Sequence, residues 1–316
     1  MWYFLAASLL TLNINLSLSL SLLTVSLIWG VINTTLSFDA LTLSAAIGVS
    51  SMIIRGINKK HRWLKYVLEG VHVITAFALM LHLILGFHNL KVLDSVLAGP
   101  HSAPFTLYFN FDKALVPFVL LAATGSLFST SAPCQSGRAG WIALIFAVPA
   151  LLWLAVALGG LKTEAHLPEW LLQFALANIF FVSLAEEALF RGYLQQRLTQ
   201  LIHPLAALMM TAAIFGAMHY AGVILLVIFA GLSGIIYGLA WMWSGKLWVA
   251  VLFHFGLNML HLLFLPIHFI ARTWLSLKTG YDLLFNAARV PAVFPARCIC
   301  AGREKNFSRV IESARL

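Results

Sequence analysis

Charged side chains make up only 10% of the 316 residues. A soluble domain carries about a quarter, so this scarcity excludes an ordinary soluble fold. Cysteine is nearly absent: Cys134, Cys298 and Cys300 form no CxxC pair with histidine partners, which argues against a zinc finger. No Lys or Arg precedes Arg55. The N-terminus therefore lacks the positively charged region of a cleavable secretory signal, and its apolar run is expected to stay as a membrane span. The apolar runs are continuous, not alternating as a lipid-facing β-barrel requires. No basic stripe interleaves with aromatics, so the formal charge of +9 does not point to nucleic acid. It reads as topology, with Lys and Arg holding loops on the cytoplasmic side. No internal repeat is visible.

What is present is hydrophobic. Such residues are 61% of the chain, mean hydropathy is +0.92, and apolar runs long enough to cross a bilayer recur throughout. The expected fold class is all-α: a polytopic transmembrane helical bundle of about eight or nine spans. They are placed near 2–28, 36–54, 66–87, 114–128, 141–160, 170–190, 205–219, 223–243 and 247–268. The first is unusual because NLSLSLSLLTVS alternates Ser and Leu, which a helix carries when serine bonds back to its own backbone. The segment 55–65, RGINKKHRWLK, should be cytoplasmic; 87–113 reads as a Gly/Pro-bearing loop on the opposite side. Continued alternation would put the tail after Arg272 outside, although that tail is rich in Lys and Arg, so one span is miscounted or re-entrant. The organisation expected is N-terminal spans over 1–165, a membrane core over 166–270 and a basic tail over 271–316. Compact loops and the lack of a eukaryotic sorting signal point to a bacterial inner membrane.

Between residues 170 and 271 the only acidic residues are Glu186 and Glu187, and the basic ones are Arg191, Arg197 and Lys246. A charge inside a bilayer is costly and by default marks a functional site. Glu187 and Arg191 are four apart on one helix face, in the favourable order for a salt bridge. Glu186 lies about 100° around the helix from Glu187 and needs another partner. Withdrawal from water suits a carboxylate to general-base work near neutral pH. Downstream, Phe215 and His219, and then His254 and Asn258, are i, i+4 pairs. With helix ends near Thr199, Pro204 and Lys246, a rise of 1.5 Å per residue puts Glu186, His219, His254 and Asn258 about 12–23 Å from one membrane side. In a core about 30 Å thick all four can meet near the middle. These are the parts of a hydrolase. Glu186 activates a water, His219 holds it and passes its proton to the leaving amine, and His254 and Asn258 donate to a developing oxyanion.

The three motifs Glu186-Glu187-x-x-x-Arg191, Phe215-x-x-x-His219 and His254-x-x-x-Asn258, in this order on successive hydrophobic segments, closely resemble the CPBP family of intramembrane proteases, also called ABI. That family includes the eukaryotic type 2 CAAX prenyl protease and bacterial relatives linked to bacteriocins. The resemblance covers roughly residues 170–268; the N-terminal spans match loosely and the tail not at all. It implies a glutamate-dependent endopeptidase in which Glu186 and His219 activate water, His254 and Asn258 serve the oxyanion, and Glu187 and Arg191 are supporting. It also implies a substrate that is a peptide or lipidated protein reached from the membrane, with membrane lipids as the other partner. No cofactor and no metal are expected. A glutamate and two histidines could in principle hold zinc, but there is no HExxH.

Plainer readings compete. Glu186, Glu187 and Arg191 could be an interfacial charge cluster at a helix end, and the chain could be a non-catalytic membrane scaffold or immunity protein. Phe215 is read as packing more than chemistry. His261 and His268, on a face similar to that of His254, are bystanders, and His72, His82 and His88 are helix-bonding or loop residues. Gly192 and the spacing Gly231, Gly234, Gly238 suggest close helix packing.

Overall fold

The structure is a computed structural model that describes residues 1–57, 61–124, 126–220 and 224–264. The basic tail, Cys298, Cys300, His268 and part of the 55–65 charge cluster lie outside the described residues. The described residues form ten helices and one small sheet: α1 (Trp2–Thr11), α2 (Leu16–Ile32), α3 (Phe38–Gly56), α4 (Arg62–Met80), β1 (Leu90–Leu97), β2 (Pro104–Phe109), α5 (Phe111–Thr124), α6 (Arg138–Ala157), α7 (Leu171–Leu198), α8 (Pro204–Ala217), α9 (Ile224–Ser244) and α10 (Leu247–Phe264). Five of them, α4, α6, α7, α9 and α10, are long and apolar enough to cross a membrane. Helices α1, α2, α3 and α8 are shorter apolar segments. The all-α membrane bundle is the observed architecture. Large apolar side chains such as Trp63, Ile74, Phe146 and Trp153 on α4 and α6 are exposed, as lipid-facing positions are.

Two expectations differ from what is found. The single span over 2–28 is a helical hairpin, α1 packed on α2. The chain breaks before Asn15, whose side chain accepts from the Leu18 N–H at 3.0 Å and caps α2. The serines explain the pairing. Ser21 bonds back to the Ser17 carbonyl, but the Ser19 hydroxyl donates to the Ser8 carbonyl at 2.6 Å and Ser26 to the Met1 carbonyl at 3.3 Å. Ser19 and Ser26 are two turns apart on one face, so both cross-link α2 to α1. Secondly, the loop expected over 87–113 holds the antiparallel pair β1–β2, which runs from Leu90 opposite Phe109 to Leu97 opposite Pro104 with irregularities between Lys91 and Leu93 and between Leu93 and Val96. Its β-branched and aromatic residues are interrupted at Gly99 and Pro100, a hairpin signal that the surrounding helical runs obscured.

The hairpin leads into α5, which is buried along most of its length. Asp112 fixes this junction: one carboxylate oxygen pairs with His82 Nδ1 at 2.5 Å, and the other accepts from Asn89 Nδ2 at 3.0 Å and from the Lys113 N–H at 2.8 Å.

Helix α7 is the most buried of the five long helices, and it runs eight residues past the expected end at 190. It is π-wound over Ala177–Ser183 and again over Ala188–Gln195, with one α-helical turn, Leu184–Glu187, between. Wide turns of this kind rotate the side chains that follow and are frequent at functional sites. The two glutamates therefore sit on the α-helical step between two π segments.

Helices α8 and α9 cross closely. A Cβ at Gly216 would stand 2.7 Å from the Val227 carbonyl oxygen and 3.0 Å from the Gly231 backbone. Small residues permit such approach of helices in lipid, as the glycine spacing suggested. Gly216→Ala is therefore expected to cost about 1–3 kcal/mol, the range for overpacking. It should lower the melting temperature in detergent; an unchanged melt would show that the crossing is loose.

Candidate active site

Helix α7 places Glu187 and Arg191 one turn apart, and both are fully buried. Arg191 Nε donates to Glu187 Oε2 at 3.0 Å. The other carboxylate oxygen, Oε1, meets His254 Nδ1 from α10 at 2.9 Å. An uncompensated buried charge costs several kcal/mol, so this triad holds together by mutual need.

The remaining two nitrogens of Arg191, Nη1 and Nη2, are buried and make no hydrogen bond among the described residues. Its guanidinium instead lies 5.3 Å from the Phe215 ring and 5.9 Å from the Phe190 ring, within cation–π range. Phe215 is thus packing, as the sequence suggested, but at the hub of the site. Its ring also contacts His254 edge-on at 6.0 Å, Tyr237 at 6.1 Å and His219 at 5.0 Å. Tyr237 of α9 stacks flat on His254 at 4.6 Å with an interplanar angle of 10°. His254 is therefore fixed by a carboxylate at one nitrogen and a ring against its face.

His219 lies in the turn after α8, not inside a helix as expected. Its Nδ1 is 2.9 Å from the Phe215 carbonyl oxygen. A carbonyl can only accept, so Nδ1 carries the proton and Nε2 is the basic nitrogen. Glu186 points away from the triad, as its position around the helix implied. Its Oε1 is 3.9 Å from Lys113 Nζ on α5. Among the described residues no hydrogen bond joins Glu186 to His219. Asn258 Nδ2 donates to Asn178 Oδ1 at 3.3 Å, and the Ser183 hydroxyl donates to the same oxygen at 3.1 Å.

The structure thus joins Glu187, Arg191, Phe215 and His254 directly, brings His219 in through the Phe215 ring, and ties Asn258 back to α7. Three contributors were not foreseen. Asn178 carried the signal of a polar residue in an apolar run. Lys113 ends the segment 87–113 expected as a loop, where a charge is usually solvated. Tyr237 had no signal, since nothing distinguishes a stacking tyrosine from any other aromatic in a span. His72 is helix-bonding, with Nδ1 on the Leu68 carbonyl at 2.7 Å and Nε2 against the Ser50 hydroxyl at 3.1 Å.

Fold and site together define an integral membrane protein with an ion triad buried inside its helical bundle. Residues 168–260 match the family of type II CAAX prenyl endopeptidases, Rce1-like. The CPBP resemblance is thereby shown for this stretch, less than a third of the chain, which holds all three motifs. The matched family is one of membrane endopeptidases. No curated protein and no solved structure matches the chain.

Proposed function

We propose that the chain is an intramembrane endopeptidase acting on a membrane-associated, lipidated peptide, with Glu186 as the base. The observation that carries this choice of glutamate is the difference between the two. Both oxygens of Glu187 are engaged, by Arg191 and His254, whereas among the described residues Glu186 pairs only with the distant Lys113 ammonium. A general base must have a free lone pair within reach of its water. Glu186 takes a proton from water as the oxygen attacks the scissile carbonyl carbon, and the carbonyl π electrons move to oxygen. His219 Nε2 accepts a hydrogen bond from the second O–H of the same water. As the tetrahedral intermediate collapses to the carboxylate it takes that second proton and gives it to the leaving amine, while the first stays on Glu186 until released to solvent.

His254 and Asn258 stabilise the oxyanion. In that role His254 carries protons on both nitrogens: Nδ1–H to Glu187 and Nε2–H to the oxyanion, with Glu187 as counter-charge. Asn258 uses one N–H on Asn178, which orients its amide and leaves the other N–H to donate. Asn258→Ala should lower kcat by about 10²–10³, as for loss of one oxyanion donor. A rate unchanged from wild type would remove it from the site.

We take the site to work without a metal: Glu187 bonds to both Arg191 and His254, so these donors are already engaged. Turnover should survive a strong zinc chelator; loss on chelation with recovery on added zinc would favour a metalloprotease instead. The activity itself is tested with protein purified in detergent and matched fluorogenic peptides, one prenylated at cysteine and one not. Cleavage of the prenylated peptide, dependent on Glu186, is expected. No cleavage of either by folded protein would favour a scaffold.

A further inference from the structure

Lys113 is nearly buried, stands at the start of α5, and lies outside the stretch that matches the endopeptidase family. A buried ammonium is strongly unfavourable without a partner, and the carboxylate in reach is Glu186 Oε1 at 3.9 Å. Helix α5 packs directly on the α7 turn that carries the glutamates. The residue before Lys113 is locked. Asp112 is buried and held by His82, Asn89 and the Lys113 backbone N–H, and Asn89 Oδ1 accepts from the Phe111 N–H at 2.9 Å. The backbone from which Lys113 extends is thus pinned by residues from the end of α4 and the strand entry. A lysine side chain is flexible, and a fixed base is what lets it deliver its charge to one place.

Resting on the endopeptidase reading, we propose that Lys113 is a positioning residue for Glu186. Its ammonium takes Oε1 and leaves Oε2 to face the water. The competing role for such a cation is to bind the free carboxylate of a lipidated C-terminal peptide. In an extended peptide every residue after the scissile bond carries that carboxylate about 3.3–3.6 Å further from it. A lysine within 4 Å of the base therefore belongs to the cleavage point and not to the peptide end. The clamp also gives the β-hairpin region a purpose: it holds the helix start that aims the lysine.

Two readouts test this, one of them independent of turnover. Dicyclohexylcarbodiimide, an apolar reagent, modifies carboxyl groups that lack a counter-ion. Wild type, Lys113→Met, Lys113→Arg and Glu186→Gln are treated in detergent, and modification at Glu186 is followed by peptide mass spectrometry. Lys113→Met should be modified about tenfold faster than wild type, a conservative figure for losing an ion pair at this range. Lys113→Arg should restore slow modification. Equal rates in wild type and Lys113→Met would overturn the pairing. In the peptide assay Lys113→Met should lower kcat about tenfold or more with KM little changed, and Lys113→Arg should recover most of it. A raised KM with kcat intact would overturn the positioning role and assign the lysine to substrate binding. Faster modification of Lys113→Met with no cleavage by wild type would leave the pairing standing and defeat the endopeptidase reading instead.

Discussion

Glu186→Ala is expected to all but abolish cleavage, with a loss of about 10²–10⁴ in kcat, the range for removing a general base, while the protein stays folded. Retention of the fold follows from the geometry. Glu186 is not part of the buried triad, and its one ionic contact among the described residues is long, at 3.9 Å. The same substitution at Glu187 is a different experiment, because both of its oxygens hold neighbours. The contrast separates the roles. Glu186→Ala should give an inactive protein whose melting temperature falls modestly, because the buried Lys113 ammonium loses its partner, and by less than in Glu187→Ala. Glu187→Ala should lose stability as well as activity. His219→Ala should resemble Glu186→Ala, since its contacts among the described residues are the Phe215 ring and carbonyl. If Glu186→Ala turns over at the wild-type rate, or if it melts as early as Glu187→Ala, the assignment of the base to Glu186 fails.

The second large effect is on stability. Arg191→Ala should destabilise by about 3–5 kcal/mol, because it leaves Glu187 charged in a dry interior with His254 as its one remaining partner. It also deletes a guanidinium that fills the space beside Phe190 and Phe215. Arg191→Lys should rescue poorly, since an ammonium cannot give the planar Nε–H to Glu187 and lie against the rings at once. The double variant Arg191→Ala with Glu187→Ala should be less destabilised than the sum of the singles, because the unpaired charge is gone. Thermal melts in one detergent measure all four. Additive losses would show that the two side chains are not energetically coupled.

How much of this was legible in the sequence follows from which kind of signal each element carried. The long apolar helices were readable because a bilayer demands length and continuous hydrophobicity, and α4, α6, α7, α9 and α10 have both. Helix α1 and α2 were merged because hydropathy does not register a cap, and Asn15 breaks the chain without interrupting the apolar run. The β-hairpin was missed because its strands border helices of similar composition. Among site residues, the pairing of Glu187 with Arg191 was legible from four-residue spacing alone. The His254 contact to Glu187 was not, since it depends on how α10 packs on α7 across 67 positions of chain. The π-wound turns on either side of the glutamates have no sequence signature, so the depth of Arg191 inside the bundle could not be read. Lys113 failed for a plainer reason: a charge at the edge of a span is usually solvated, and only the packing of α5 against α7 turns it inward.

The most direct test of the central claim compares new peptide termini in matched cells expressing wild type or Glu186→Ala at equal, folded abundance. The site described here predicts a set of termini present only with wild type, each from a membrane-associated protein. Identical termini in the two cultures would contradict it, leaving the buried triad as the frame of a protein that cuts nothing.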